Sequence, residues 1–377
     1  MTVTADLLID IGRRAGLRAV GVCRAEPFAE AARVLRRRKR EGLHGGMQFT
    51  YRNPERSTDP ERVLPGAASL VVGALDFWRE GPERPTDGLP YGRVASYART
   101  DHYSVLRTAL ESVADPLRAA GNRAVVVADQ NHLVDRAAAH RAGIGWWGKS
   151  SNILVPGAGS MVVLGAVVTD AEFCEIDPDP MPDGCGSCRQ CVDGCPTGAI
   201  IAPGTVDARR CLAWLVQTSG VFDPDFRVAL GDRIYGCDDC ADVCPPNRVR
   251  IRIESRRAER RGRGRTESAW VSLIDMLEAS DEDLTARFGR WYIPHRQPRY
   301  LRRNALVALG NVGDPSHPLV RTAVDQALVH PDPLVRAHAV WCARRLGLPL
   351  EALEHTEDPL VRAELDRQVP PRTAPSA

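Results

Sequence analysis

The feature that most limits what this chain can become is a run of cysteines. Cys185, Cys188, Cys191 and Cys195 precede Pro196, and Cys237, Cys240 and Cys244 precede Pro245. The first run has the C-x2-C-x2-C-x3-C-P spacing of bacterial two-cluster iron-sulfur domains, in which the fourth cysteine ligates the other cluster. Three thiolates on one tight loop can each reach a different iron, and the proline then turns the chain away. The second run lacks one cysteine, and Cys211 is the nearby thiol able to complete it. Crossing the fourth ligands predicts one cluster on Cys185, Cys188, Cys191 and Cys244, and a second on Cys195, Cys211, Cys237 and Cys240. Zinc is the main rival, because paired C-x2-C motifs also build tetrahedral sites. It offers no reason for the x2, x2, x3, Pro rhythm.

With 377 residues, 44% hydrophobic and 26% charged, the chain has room for two or three globular domains. The N-terminus reads as no signal peptide, and apolar runs such as Met161 to Val168 are too short to cross a bilayer, so a cytoplasmic protein is expected. A reducing compartment suits cysteines that serve as metal ligands. Lys39 and Lys149 are the only lysines, and the net charge is +2. The arginines concentrate between Arg248 and Arg265, a run suited either to phosphate contact or to a solvated loop.

The first half reads as α/β. Strands are expected at Ala19 to Cys23, Ser69 to Leu75, Ala124 to Ala128 and Met161 to Val168, with helices such as Phe28 to Glu41 and Tyr103 to Ala120. No G-x-G-x-x-G opens a helix after the first strand, which leaves a dinucleotide fold without support. Gly143 to Ser150, GIGWWGKS, matches the P-loop pattern letter for letter, but it follows an amphipathic helix, Leu133 to Arg141, and leads into an extended segment. A phosphate cradle requires the opposite order. Asp129 ends an apolar strand, where a carboxylate can be held at the rim of a pocket and kept protonated by desolvation. Its plainer reading is a cap or loop carboxylate, as for Asp59 and Asp101; His44, His102 and His132 lack any partner spacing. After the cysteines, RRNALVALG at Arg302, HPLVRTAVDQAL at His317, DPLVRAHAVWCARRLG at Asp332 and DPLVRAEL at Asp358 predict a short HEAT-type helical array. Cys342 lies on one of its apolar faces. Three domains follow: 1–173, α/β; 174–255, ferredoxin-like; 256–377, the basic segment and helical repeats.

Taken together, GLHGGMQFTYRNPER at Gly42, YARTDHYSVL at Tyr97, DQNHLVDRAAAHRAGIGWWGKSS at Asp129, CGSCRQCVDGCPTGAI at Cys185, DARRC at Asp207 and RIYGCDDCADVCPPNR at Arg233 resemble the epoxyqueuosine reductases. These are cobalamin-dependent enzymes that complete queuosine at the wobble position of tRNA. The resemblance implies an α/β cobalamin-binding domain, a two-cluster ferredoxin-like domain with two 4Fe-4S clusters, and a HEAT-like domain that grips tRNA. It places Asp129 on the family's proton donor, Arg56, Tyr97, Ile153, Leu164, Cys237 and Asp238 near the corrin, and Thr218 near the tRNA. An external donor such as a flavodoxin or ferredoxin and a monomeric state are expected. The chain departs from its relatives at Ser57, where a basic residue is usual, and in LAWLVQTSG after Cys211, which is less polar and ends without an acidic residue. Other substrates for the same cofactors, an organohalide or a different modified nucleoside, remain alternatives, as does a ferredoxin-type electron carrier without an active site.

Overall fold

The structure is a computed structural model that describes residues 2–173, 178–261, 269–350 and 356–369, with side chains left out at 257–261. It divides into two compact units. Met1–Glu80, Thr100–Arg209 and Asp238–Gly264 form the first, and Gly81–Arg99, Arg210–Cys237 and Arg265–Ala377 the second.

The first unit is built on a four-stranded sheet in the spatial order Ala19–Arg24, Ser69–Asp76, Val162–Thr169, Ala124–Ala128, every pair antiparallel. Each expected strand is present. Ser69–Asp76 is buried along its whole length, as its near-continuous apolar sequence requires of a strand covered on both faces. Leu70, Val72 and Ala74 face the core shared with Ala138, Ala139 and Ala142 of the helix Asp135–Arg141 and its end. On the opposite face Gly73 and Gly165 lie under Leu110 of the helix His102–Ala119; a Cβ there would come within 3.1 and 2.8 Å of its methyl groups. Asp101 caps that helix by accepting from the Ser104 amide, and Asp59 caps the short turn at Pro60–Arg62. Their plain reading as caps therefore holds.

The second unit joins a three-stranded sheet, Arg233–Tyr235 beside Tyr91–Val94 beside Trp270–Ser272, to a set of helices. Pro318–Leu328, Pro333–Leu346 and Pro359–Asp366 each begin with proline preceded by His317, Asp332 or Asp358, whose side chain accepts the amide two residues on. Proline costs nothing at a first turn, where no amide partner exists, and the preceding acceptor satisfies one that would otherwise be orphaned. That is the physical content of the repeated D/H-P-L-V-R sequence. Pro333–Leu346 packs against Arg299–Val312, Pro318–Leu328 and Pro359–Asp366, and Trp341 lies against Gly310. Cys342 is buried in this core, as its apolar surroundings predict. Fully buried polar groups tie the helices to the segment before them. Arg227 makes a bidentate pair with Glu364, 2.8 and 2.7 Å. His338 accepts from the Phe222 amide through Nε2, so its Nδ1 donates to the Leu334 carbonyl, and burial holds the ring neutral by lowering its pKa. No described helix is long and apolar enough to cross a membrane.

Candidate cluster and proton-donor site

All ten described cysteines are free thiols, and the eight of the cysteine runs are half-buried. Within the first unit Cys185, Cys188 and Cys191 are near neighbours of Cys244. Burial first, and then the charges of Cys191, Cys185 and Cys188, push the Cys244 thiol up to about 11. Thiolates gathered this way repel one another until a cation takes their protons' place, which is the chemistry of a cluster site. Among the described residues no three His, Cys, Asp or Glu side chains converge on a single ion. Cys195 has different surroundings: the Ala199 amide donates to its sulfur and the Thr197 hydroxyl lies 3.6 Å away, contacts that favour a thiolate and lower its pKa despite burial. Cys240 also belongs to the first unit, while Cys211 and Cys237 belong to the second.

The P-loop lookalike is a β-hairpin. Trp146–Trp147 pairs with Ile153–Leu154, and the turn is closed by Gly148 donating to Asn152 and Ser151 donating to Gly148. Its lysine meets no phosphate cradle. Lys149 Nζ donates to the Gly186 carbonyl at 2.5 Å and the Cys188 carbonyl at 2.9 Å, both inside the first cysteine loop. Trp146 supports the same loop, since a Cβ on Gly184 would fall 2.7 Å from its ring. The far end of the loop region is anchored by Asn247, fully buried just after Cys244. It accepts from the Ser160 amide and donates to the Ser160 hydroxyl and the Ala241 carbonyl. Sequence reasoning missed Asn247 and gave Lys149 no role, although one of only two lysines among 50 basic residues was a visible signal.

Asp129 stands where the sheet ladder stops. Ala128 pairs with Gly165 as the last pair of the ladder, and at Asp129 the backbone turns with φ +53. Asp and Asn tolerate that left-handed conformation better than other non-glycine residues. Ile153 and Leu164 are buried in one core cluster, while Asp129, in the same unit, lies at an exposed position outside it. Asp238 lies in the first unit, at the start of the short helix Asp239–Asp242. Tyr97 and Cys237 belong to the second unit, where Gly236 approaches the Tyr97 ring so closely that a Cβ would sit 2.9 Å from it. Asp129 keeps an exposed surface, yet partial desolvation raises its pKa, with Arg107 pulling it down and Asp101 adding to the rise. Unlike Asp59 and Asp101 it caps no helix: Val134 stands at the N-cap of Asp135–Arg141. Two groups behind it were missed from the sequence. Asp135 is only partly exposed, with a buried Oδ1 that has no hydrogen-bond partner, and burial, opposed by Arg136 and reinforced by Asp129, pushes its carboxyl up to about 8. Tyr103 is held protonated by burial and by the charges of both aspartates.

Arg56 and Ser57 hold the Asp129 loop from its other side. Arg56 bonds His132 at 2.7 Å, and the buried Ser57 hydroxyl donates to the Asn131 carbonyl at 2.7 Å. The departure at Ser57 therefore falls on a loop contact. Thr218, in the second unit, bonds the Leu215 carbonyl through its hydroxyl, and its own carbonyl accepts from Arg303, whose pKa burial lowers to about 9. The arginine-rich segment begins as a helix, Pro245–Arg261, rather than a loop. Arg250 is consumed by a buried ion pair with Asp76, while Arg248, Arg252 and Arg256 are exposed at four-residue spacing. The side chains of Arg257, Arg260 and Arg261, and Arg263 and Arg265 entirely, lie outside the described residues.

Residues 184–247 match the family described as 4Fe-4S double cluster binding domain. Similar proteins include an epoxyqueuosine reductase of Bacillus cereus, 31% identical with 96% of this chain and 95% of the relative covered, and one of Xanthomonas campestris, 33% identical with 92% and 97% covered. Among solved structures, epoxyqueuosine reductase with an epoxyqueuosine-modified tRNA-Tyr stem loop superposes with a TM-score of 0.83 at 29% identity, covering 96% of both chains. The Bacillus subtilis enzyme with its catalytic aspartate loop swung out of the active site gives 0.82 at 29% identity over 96% of both chains. With such relatives matched along nearly their whole length, the chain belongs to the epoxyqueuosine reductase family.

Proposed function

We propose that this protein reduces epoxyqueuosine to queuosine in tRNA, using two 4Fe-4S clusters and cobalamin, with Asp129 as the proton donor. The carrying observation is the likeness along 96% of the chain to a reductase solved with its modified stem loop. The first cluster is assigned to Cys185, Cys188, Cys191 and Cys244, supported by the mutual influence of their thiols. The second is assigned to Cys195, Cys211, Cys237 and Cys240 on the spacing rule. Arg56, Tyr97, Ile153, Leu164, Cys237 and Asp238 are assigned to the corrin site. Asp129, Ile153 and Leu164 suit one side of it, an apolar wall with one acid at the end of a sheet ladder. The buried Ile153 and Leu164 would meet the corrin largely through backbone.

When bound, the clusters and cobalamin supply the two electrons that turn the epoxide into an alkene. The protein's own part is protonic and steric. Asp129, whose pKa partial burial raises, donates its proton to the epoxide oxygen, which is a poor leaving group as an alkoxide. The oxygen then departs as water after a second proton. Arg56 and Ser57 hold the Asp129 loop through His132 and Asn131. A loop bearing the catalytic aspartate swings out in the Bacillus subtilis relative, so these contacts would govern the same movement here. Exposed Arg248, Arg252 and Arg256 offer charge to tRNA phosphates, about 6 Å apart along the helix. Thr218 and the helices from Arg299 onward, read as a HEAT-like array, are assigned to the same partner. The three-part division at 1–173, 174–255 and 256–377 describes these roles. A cytoplasmic monomer fed by a flavodoxin or ferredoxin completes the reading, since its substrate is part of the translation apparatus.

The test is incubation of the anaerobically reconstituted, reduced protein with epoxyqueuosine-containing tRNA, followed by chromatography of its nucleosides. Queuosine should appear. Persistence of epoxyqueuosine with protein carrying about eight irons and one cobalamin per chain would overturn the proposal.

A further inference from the structure

We infer that Lys149 is a positioning residue for the first cluster: its ammonium fixes the Cys185–Cys191 loop and raises the cluster's reduction potential. The inference rests on the cluster reading above. Lys149 sits in a hairpin turn whose backbone is itself fixed, its carbonyl accepting from the Gly204 amide at 2.9 Å and the Gly204 carbonyl accepting in turn from Arg38 at 2.5 Å. From that base Nζ reaches the carbonyls of Gly186 and Cys188. Cys188 is an assigned ligand, so the cation bonds the backbone of the residue whose sulfur would bind iron. Gly186 has φ +48, a left-handed turn that Cys188 closes by donating to the Cys185 carbonyl at 2.9 Å. Trp146 packs on Gly184 at the entrance to the loop. The hairpin thus grips the loop at two points, one apolar and one cationic.

The residue type fits the task. A lysine ammonium is a compact charge with three rotatable donors, able to bridge two carbonyls that a planar guanidinium would meet less closely. The chain uses arginine nearly everywhere else, with two lysines among 50 basic residues. One-electron reduction of a cluster by a low-potential reductant adds one negative charge to it. A fixed cation beside the ligand loop favours that reduced form, and removing it must lower the potential.

The experiment compares the whole reconstituted protein with Lys149→Gln and Lys149→Arg by iron content and by redox titration followed by electron paramagnetic resonance. Glutamine keeps an amide donor but loses the charge; arginine keeps both donor and charge. Lys149→Gln should retain about eight irons while one cluster becomes at least tenfold harder to reduce, a downward shift of about 59 mV or more, with the other cluster shifting less. Lys149→Arg should recover most of the wild-type potential. Full iron with unchanged potentials in Lys149→Gln would overturn the inference. So would loss of half the iron in Lys149→Gln together with a wild-type potential for whatever first cluster remains, because the lysine would then only hold the loop. Absence of iron-sulfur signals from the wild-type protein is a different failure, that of the cluster reading itself.

Discussion

Replacing Asp129 with asparagine isolates the proton from everything else the residue does. The backbone at this position has φ +53. Most non-glycine residues hold that conformation only at a cost of about 1–2 kcal/mol, which asparagine largely avoids, so Asp129→Asn should fold as the wild type does whereas Asp129→Ala would confound strain with chemistry. The two side chains have nearly the same volume, and no helix loses its cap. What disappears is the transferable proton. General acids contribute about 10²–10⁴-fold, which corresponds to about 2.7–5.5 kcal/mol of barrier. Anaerobic single-turnover reduction of epoxyqueuosine-tRNA, quenched and resolved by nucleoside chromatography, should therefore slow by that factor with iron, corrin and tRNA binding unchanged. Because burial raises the Asp129 pKa, the wild-type rate should be level on the acid side and fall as pH rises through that raised value. The variant should lose this limb. A variant within threefold of wild type, or one that keeps the limb, would show that the proton comes from elsewhere.

Three further outcomes follow from other parts of the molecule. Glu364→Gln leaves the fully buried Arg227 without its counter-charge and should destabilise the second unit by about 3–5 kcal/mol in denaturant unfolding, while Arg227→Met combined with Glu364→Leu should recover most of that loss. Gly159→Ala would place a Cβ 1.8 Å from Asn247 Oδ1 at φ +65, and should cost about 2–4 kcal/mol from left-handed strain and a broken buried hydrogen bond, read as a lower melting temperature. Changing Arg248, Arg252 and Arg256 to glutamine should weaken tRNA binding and flatten its dependence on salt by about 0.7–0.9 in log–log slope per arginine, with melting temperature unchanged; an unaltered slope would remove that helix from the RNA-binding surface.

Much of the fold was legible from the chain. The strands around Val72 and Val167 showed themselves because a strand covered on both faces must be apolar throughout, and the D/H-P-L-V-R starts marked helix N-termini because proline and a side-chain acceptor meet a local backbone need. These signals are local, so a linear pattern carries them. The order of strands in the sheet, the helix that continues through Arg250, and the burial of Arg227 against Glu364, far away in sequence, were not legible. Which partners meet depends on packing between distant segments.

The same division runs through the functional site. Spacing alone pointed to the thiols, since a ligand loop must present cysteines at intervals set by the chain's own reach. The end of an apolar strand singled out Asp129. Folding decided the rest: that the strand ladder ends at Ala128 just before Asp129, that Asp135 feels the charge of Asp129, and that the lysine of a sequence shaped like a phosphate cradle grips a cysteine loop instead. A residue's chemistry is written in its type, but burial and charge come from neighbours that only the tertiary structure brings within reach.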